Sequence, residues 1–287
     1  MKVSSVIKNL SHYFDRYNNC PYCRNSSTRT IKDNKIYKLV ECKKCNTHYI
    51  NPYLNDTGLK KAYSNYSLMD YRSKGKGLKN RRKMYLQDFE LISIFLNNNK
   101  NLKILDIGGS DGKFLSLFDK KYKKFIAEID HSSFNKNKDI KYDYFDGTKL
   151  PYKNNFFDLV LLRGVIEHIV DPISLIKNIK NKLKKGGKLF ITATPDKDSF
   201  AYYIYKDKWN QFNPLFHYTY VSSKVLNNVV KKQGFKKNII VHPYIDTPYE
   251  NFQKDFVKIK NDITNNKKNN ISPPFYGTML SGIWSKI

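Results

Sequence analysis

Three carboxylates follow three candidate strands in turn: Asp106 within LDIGGSDG (Leu105 to Gly112), Asp130 closing IAEID, and Asp146 in YFDG. The first stands in a glycine-rich strand-to-helix turn, where backbone comes close to a nucleoside cofactor. Its glycines are Gly108, Gly109 and Gly112, and Lys113 takes the place of the third glycine of a dinucleotide fingerprint. Asp106, with Asp111 close by, would repel a pyrophosphate but attract an ammonium or a sulfonium. That charge logic predicts S-adenosylmethionine rather than NAD. Asp130 is placed to accept both ribose hydroxyls and Asp146 the exocyclic amine of adenine. Any one of these acids alone is more often a solvated strand end; three in register read as a site.

A second donor set lies near the N-terminus, where Cys20-Pro-Tyr-Cys23 and Cys42-Lys-Lys-Cys45 hold all four cysteines. Each CxxC turn brings two thiolates to one side of a tight loop, and two such knuckles on a hairpin complete a tetrahedral zinc site. Lys35 to Val40 supplies a hairpin strand. Disulfides are disfavoured in a reducing cytosol, and a thioredoxin-like pair needs a single CxxC opening a helix. Four thiolates leave no coordination position for water, so the expected zinc is structural, a staple for a segment with little core of its own.

The elements that must position these groups are legible in the hydrophobic pattern. After a polar, Tyr-rich connector running to about Lys83, Tyr85, Phe89, Ile92 and Leu96 share one helical stripe, which NNNKN ends. From Leu102 strands and helices alternate: Leu102 to Ile107, Phe114 to Phe118, Lys124 to Ile129, Lys141 to Phe145, Phe157 to Leu162, Pro172 to Leu183 and Lys188 to Ala193. Alternation of this kind specifies βαβ units. Ser222 caps a helix through Lys232 that Gly234 closes; Asn238 to His242 and Thr278 to Lys286 read as further strands. Lys254 to Asn270 is polar and low in complexity, and is expected as a mobile loop or an exposed helix. The fold class is α/β: a Rossmann-like, seven-stranded, mostly parallel sheet with helices on both faces, plus a small N-terminal zinc ribbon. The expected division is a ribbon segment over 1–60, a connector and helix over 61–100, and the cofactor-binding domain over 101–287.

At 287 residues the chain is long enough for such a domain and an appendage. No apolar run approaches the ~20 residues of a membrane span, and MKVSSVIKNL lacks a signal-peptide core, so a cytoplasmic protein is expected. Fifty-two Lys and Arg against 25 Asp and Glu give a net charge of +27. That sign suits nucleic acid, an acidic membrane surface or a phosphorylated substrate. The excess is mostly Lys scattered beside abundant Asn, however, as an AT-rich genome produces without selection for binding.

The segments ILDIGGSDGKFL, IAEIDHS, FDGTKLPYKNNFFDLVLLRGVIEHIVDP, LKKGGKLFITATPD and PLFHYTYVSSKVLNNVVKKQGF together resemble the class I S-adenosylmethionine-dependent methyltransferases over residues 100–245. FYGTMLSGIWSKI fits that family's final antiparallel strand. With the paired CxxC ahead of it, the chain is similar to zinc-ribbon-bearing methyltransferases of bacterial glycan and secondary-metabolite modification. The resemblance implies that Gly108, Gly109 and Gly112 approach the methionine and ribose, that Asp130 binds the ribose, that Asp146 with Gly147 holds the adenine, and that Leu162 and Arg163 line the cofactor's reactive end.

Methyl transfer from a sulfonium needs alignment, and a base where the acceptor is a hydroxyl. The candidates are Glu167, His168 and His217. Glu167-His168 in GVIEHIVDP resembles a segment of ubiquinone-pathway O-methyltransferases in which one further carboxylate completes a divalent-metal site. Gly164 stands at that position here, so the pair alone is an incomplete ligand set and no catalytic metal is expected. His168 reads equally as a helix-start histidine bonded to a backbone carbonyl. His217 is the better base candidate, with a structural role as the alternative. Trp209, Phe212, Phe216, Tyr218 and Tyr220 either wall an acceptor pocket or pack. The predicted acceptor is a small molecule or glycan, phosphorylated or nucleotide-linked acceptors included, methylated on oxygen. An RNA methyltransferase, or C- or N-methylation of a nucleotide-linked sugar, is the alternative. Against base amino-group methylation, the text after the fourth strand is LLRG and not NPPY or DPPY.

Overall fold

The computed structural model describes residues 3–64, 75–96, 101–129, 137–147, 149–265, 267 and 271–287. The alternation from Leu102 onward becomes a seven-stranded sheet. Its strands are β6 (Lys103–Ile107), β7 (Lys123–Glu128), β8 (Ile140–Tyr144), β9 (Phe157–Arg163), β10 (Leu183–Pro195), β12 (Phe235–Val241) and β13 (Met279–Lys286), in spatial order β12-β13-β10-β9-β6-β7-β8. Only β13 runs against its neighbours. The order reverses between β6 and β9, and open α/β sheets bind ligands at the carboxyl ends of the strands at such a switch.

Successive strand side chains point to opposite faces, so the apolar runs that form these strands feed two cores. Ile104, Leu159 and Leu161 join Phe114, Phe118 and Ile92 on one face. Leu105, Ile107, Val160 and Leu162 join Leu175, Ile176, Ile179, Leu226 and Val230 on the other. Each such buried side chain contributes roughly 1.5–3 kcal/mol. The second face is covered by α4 (Pro172–Lys182) and α6 (Ser223–Lys232), each started by a capping side chain: Asp171 accepts from Ser174 N and Ser222 from Val225 N. Gly234, at φ 85°, follows the latter as the sequence indicates.

The first face departs from expectation. Phe114 to Phe118 is not a helix but a single 3₁₀ turn, Leu115–Leu117. The long α3 (Gly75–Ser93) supplies the cover instead, starting earlier than the apolar stripe suggests. Its rings pack directly on that turn, Tyr85 against Phe114 and Phe89 against Phe118, with centroids 5.3 and 5.0 Å apart. The low-complexity stretch contains α7 (Phe252–Thr264), which is not merely an exposed helix: Asp255, Ile259 and Asp262 are buried on one side of it.

After α1 (Val3–Asn9) and β1 (Phe14–Arg16), the cysteine-rich segment forms β2 (Thr28–Asp33), β3 (Lys38–Cys42) and β4 (His48–Asn51); β5 (Tyr53–Leu54) pairs with β1, Asn55 caps α2 (Asp56–Tyr63), and α5 (Phe200–Tyr205) lies in the connector after β10. The small sheet does not end with the segment. Its fourth strand is β11 (Thr219–Tyr220), from the connector after β10, paired antiparallel with Tyr49 and His48. Salt bridges Arg24–Asp171 and Lys32–Asp207 tie the two regions together further. No helix among the described residues is long and apolar enough to cross a membrane.

Candidate active site

The glycine-rich loop leaves β6 at its carboxyl end. Asp106, 2% exposed, lies beneath it, and its Oδ1 is buried with no hydrogen-bond partner among the described residues. Burial pushes its carboxyl up to about 8, against the opposing pull of Arg163 and with a smaller push from Glu128. A buried, unpaired carboxylate at this place suits a cationic ligand group. Gly108 has φ 71°, and a Cβ there would stand 2.7 Å from Val165; at Gly112, with φ 74°, it would stand 2.5 Å from Ile140. The loop therefore admits only glycine at these points. Ser110, at φ 50°, carries the remaining strain, and Glu128 Oε2 holds its amide at 3.1 Å. Asp111 is paired with Lys113 at 2.5 Å and so is partly neutralised.

Gly147 follows β8 with φ 94°, and Asp146 beside it is exposed. Asp130 lies outside the described residues. Leu162 is wholly buried in the core. Arg163 donates from Nε to Asp88 at 2.8 Å and stacks over Tyr85. Asp88 also accepts from Thr192, 2.9 Å away, whose hydroxyl meets Ser281. Burial raises the Asp88 carboxyl's proton affinity, and Arg163 opposes it. This network beneath the loop is absent from the sequence reading. Its signal is a polar residue three positions after Tyr85, inside an apolar stripe.

After β9, Val165 packs on Gly108 and leads into the 3₁₀ turn Ile166–His168. Here the structure gathers Glu167, His168 and His217: one carboxylate oxygen and a nitrogen from each ring all lie within 4.8 Å of one another. The rings stand edge to face with centroids 4.9 Å apart. Each ring is oriented by a backbone carbonyl, His168 Nδ1 by Phe216 O and His217 Nδ1 by Gln211 O, both at 2.9 Å. A carbonyl only accepts, so both Nδ1 atoms carry hydrogen and in the neutral rings both lone pairs are on Nε2. Glu167 is 3% exposed. A β-bulge in β10 at Ala193, φ 57°, accompanies the turn of Thr194 toward Glu167, to which it donates at 3.1 Å. Tyr63 Oη lies 3.2 Å from His168 Nδ1.

His217 comes to this place through the ribbon. Tyr218 donates its amide to Glu167 O at 2.9 Å and accepts from Ile50 N of β4 at 3.0 Å. Tyr53 Oη bonds the carbonyls of Leu215 and Phe216, each at 3.2 Å. Of the aromatics, Trp209, Phe216, Tyr218 and Tyr220 are buried and Phe212 packs on Tyr220 at 4.6 Å, so packing accounts for most of this set. Trp209 Nε1 is a buried donor with no partner among the described residues.

The four cysteine sulfurs also lie within 4.8 Å of one another. Cys20–Cys45 and Cys23–Cys42 approach to 3.5 and 3.4 Å as free thiols. These spacings fit the edges of a tetrahedron with metal–sulfur bonds of about 2.3 Å.

A sequence profile described as a methyltransferase domain matches residues 79–238. The chain belongs to this family. An uncharacterized protein of Methanocaldococcus jannaschii is 30% identical over 132 residues, 46% of this chain and 63% of that protein. A tRNA U34 carboxymethyltransferase of Campylobacter fetus is 33% identical over 105 residues, 33% of this chain and 37% of that enzyme. The chain thus spans less than two thirds of the length of these curated relatives. Among solved structures, a possible histamine N-methyltransferase of Thermotoga maritima shares the fold with TM-score 0.54 and 19% identity, over 80% of this chain and 99% of that one. A chain from the complex of the Haloferax volcanii Trm112 methyltransferase activator with a putative methyltransferase does so with TM-score 0.57 and 13% identity, over 81% and 98%.

Proposed function

We propose that the protein transfers a methyl group from S-adenosylmethionine to a hydroxyl of a small-molecule or glycan acceptor. The observation that carries this is the convergence of Glu167, His168 and His217 at the turn that follows Val165, the side chain packed on the glycine loop. When bound, S-adenosylmethionine supplies an activated methyl group on a sulfonium sulfur. Asp106 meets its positive charge, the backbone of Gly108 to Gly112 holds it closely, and Asp130, Asp146 and Gly147 take the nucleoside. On the acceptor side Glu167 and His168 orient the hydroxyl and His217 Nε2 takes its proton. The four thiolates hold a structural zinc, which fixes the ribbon strand against the segment carrying His217.

A second reading, methylation of RNA, is favoured by the charge of +27 and by relatives named as tRNA U34 carboxymethyltransferases. Incubation with S-adenosylmethionine and two pools, one of sugars and nucleotide-linked sugars and one of bulk tRNA, separates the two. S-adenosylhomocysteine release with a methylated sugar hydroxyl by mass spectrometry is the expected result. Methyl incorporation into tRNA alone overturns it in favour of the second reading.

A further inference from the structure

We infer that Glu167, His168 and His217 form a second metal site, for a borderline first-row divalent cation such as zinc or iron(II), distinct from the four thiolates. It rests on the reading of these side chains as the acceptor-side group.

The pair Glu167-His168 alone is too few ligands, and Gly164 offers none. The structure supplies the third donor from elsewhere: His217, on the connector after β10. Both rings are set as metal-binding imidazoles are set, with Nδ1–H spent on a backbone carbonyl at 2.9 Å and the lone pair on Nε2. The carboxylate has its own support, Thr194 on Oε2, while Oε1 stands 4.0 Å from His168 Nε2. Ligands bound at 2.0–2.2 Å stand ~3.0–3.5 Å apart around a cation, so the donors, within 4.8 Å, draw in by about an ångström. Two imidazoles with one carboxylate select borderline cations over magnesium or calcium, which take oxygen ligands. Three protein donors among the described residues leave coordination positions for an acceptor oxygen, in contrast to the closed set of four cysteines; with the cation bound, His217 Nε2 is a ligand and no longer the base, and the coordinated hydroxyl, made more acidic by the cation, gives its proton to water.

Cobalt(II) distinguishes the two sites in the intact protein, because thiolate ligation gives intense sulfur-to-metal charge transfer and nitrogen–oxygen ligation does not. Full-length protein cleared of metal and titrated with cobalt(II) is expected to bind about two equivalents per chain, only one with the thiolate signature. His217→Ala and Glu167→Gln should each remove the second equivalent and keep the thiolate bands, which also report that the ribbon is folded. Saturation of the unmodified protein at a single, thiolate-bound equivalent overturns the proposal without recourse to any variant. If it saturates there while His217→Ala still abolishes methyl transfer, the cation site fails and the acceptor-side reading stands. If two equivalents bind but no hydroxyl is methylated, the reading fails and the cation site stands.

Discussion

The amide of Tyr218 donates to the carbonyl oxygen of Glu167 at 2.9 Å. Through this bond the turn after β9 and the connector after β10 share a register, and the ribbon holds the other side of Tyr218 through Ile50. His217 is therefore placed by three elements distant in sequence.

Removing metal from the ribbon should then depress methyl transfer more than cofactor binding. Cys42 ends β3 and Cys45 lies in the turn that leads into β4, so loss of their metal loosens β4 and, with it, β11 first. A Cys23→Ser, Cys45→Ser variant, which loses only the ribbon metal, is expected to bind S-adenosylmethionine in calorimetry within about threefold of the unmodified affinity while turnover falls at least tenfold. A parallel fall in both quantities would show the ribbon to be a general stabiliser.

Replacement of His217 by Ala should cost on the order of 10²–10⁴ in turnover, the usual contribution of a positioned acid–base group, with little change in the KM for S-adenosylmethionine. Steady-state kinetics on the methylated acceptor measure both. A loss confined to KM for the cofactor would move His217 out of the acceptor side.

Asp106 gives a pH dependence of definite sign. Its folded carboxyl keeps a proton to about pH 8, whereas an unfolded aspartate loses it near 4. Between those values the cofactor-free fold binds one proton more than the unfolded chain, so its stability contribution declines as pH rises through that window. A cationic ligand requires the carboxylate, so affinity should climb with pH by up to ~tenfold per unit below about 8 and then level off. Calorimetry from pH 6 to 9 is the check, and Asp106→Asn should bind weakly with a flat profile.

Asp88→Ala strands the half-buried Arg163 guanidinium without its buried partner and removes the acceptor of Thr192. Breaking a buried pair by deleting one partner costs roughly 3–5 kcal/mol. Thermal denaturation should show a drop of several degrees in Tm; an unchanged Tm would mean that water replaces Asp88 without loss.

The parts of this architecture that depend on neighbours in sequence were readable in the chain. Ser222 and Gly234 delimit their helix because caps are local chemistry, and the apolar runs from Leu102 onward find their strands because period and length decide them. The apolar run around Leu115–Leu117 has the composition of a helix but forms a single turn, because α3 covers that face. Asp88 shows in the sequence only as a polar break in an apolar stripe, since its partners Arg163 and Thr192 come from two other elements. Strand β11 is two residues long and exists only where β4 lies beside it. The Glu167-His168 pair was visible as chemistry; that His217 joins it was not, because folding through the ribbon brings it there.

The ladder shared by β2, β3, β4 and β11 has an evolutionary corollary. A domain stitched to its neighbour by backbone pairing cannot be shuffled independently of the strand that receives it. Exchange of the first sixty residues between relatives would transplant a hydrogen-bonding edge without its mate, so ribbon and connector are expected to diverge together, as a single unit of inheritance written in two separate stretches of chain.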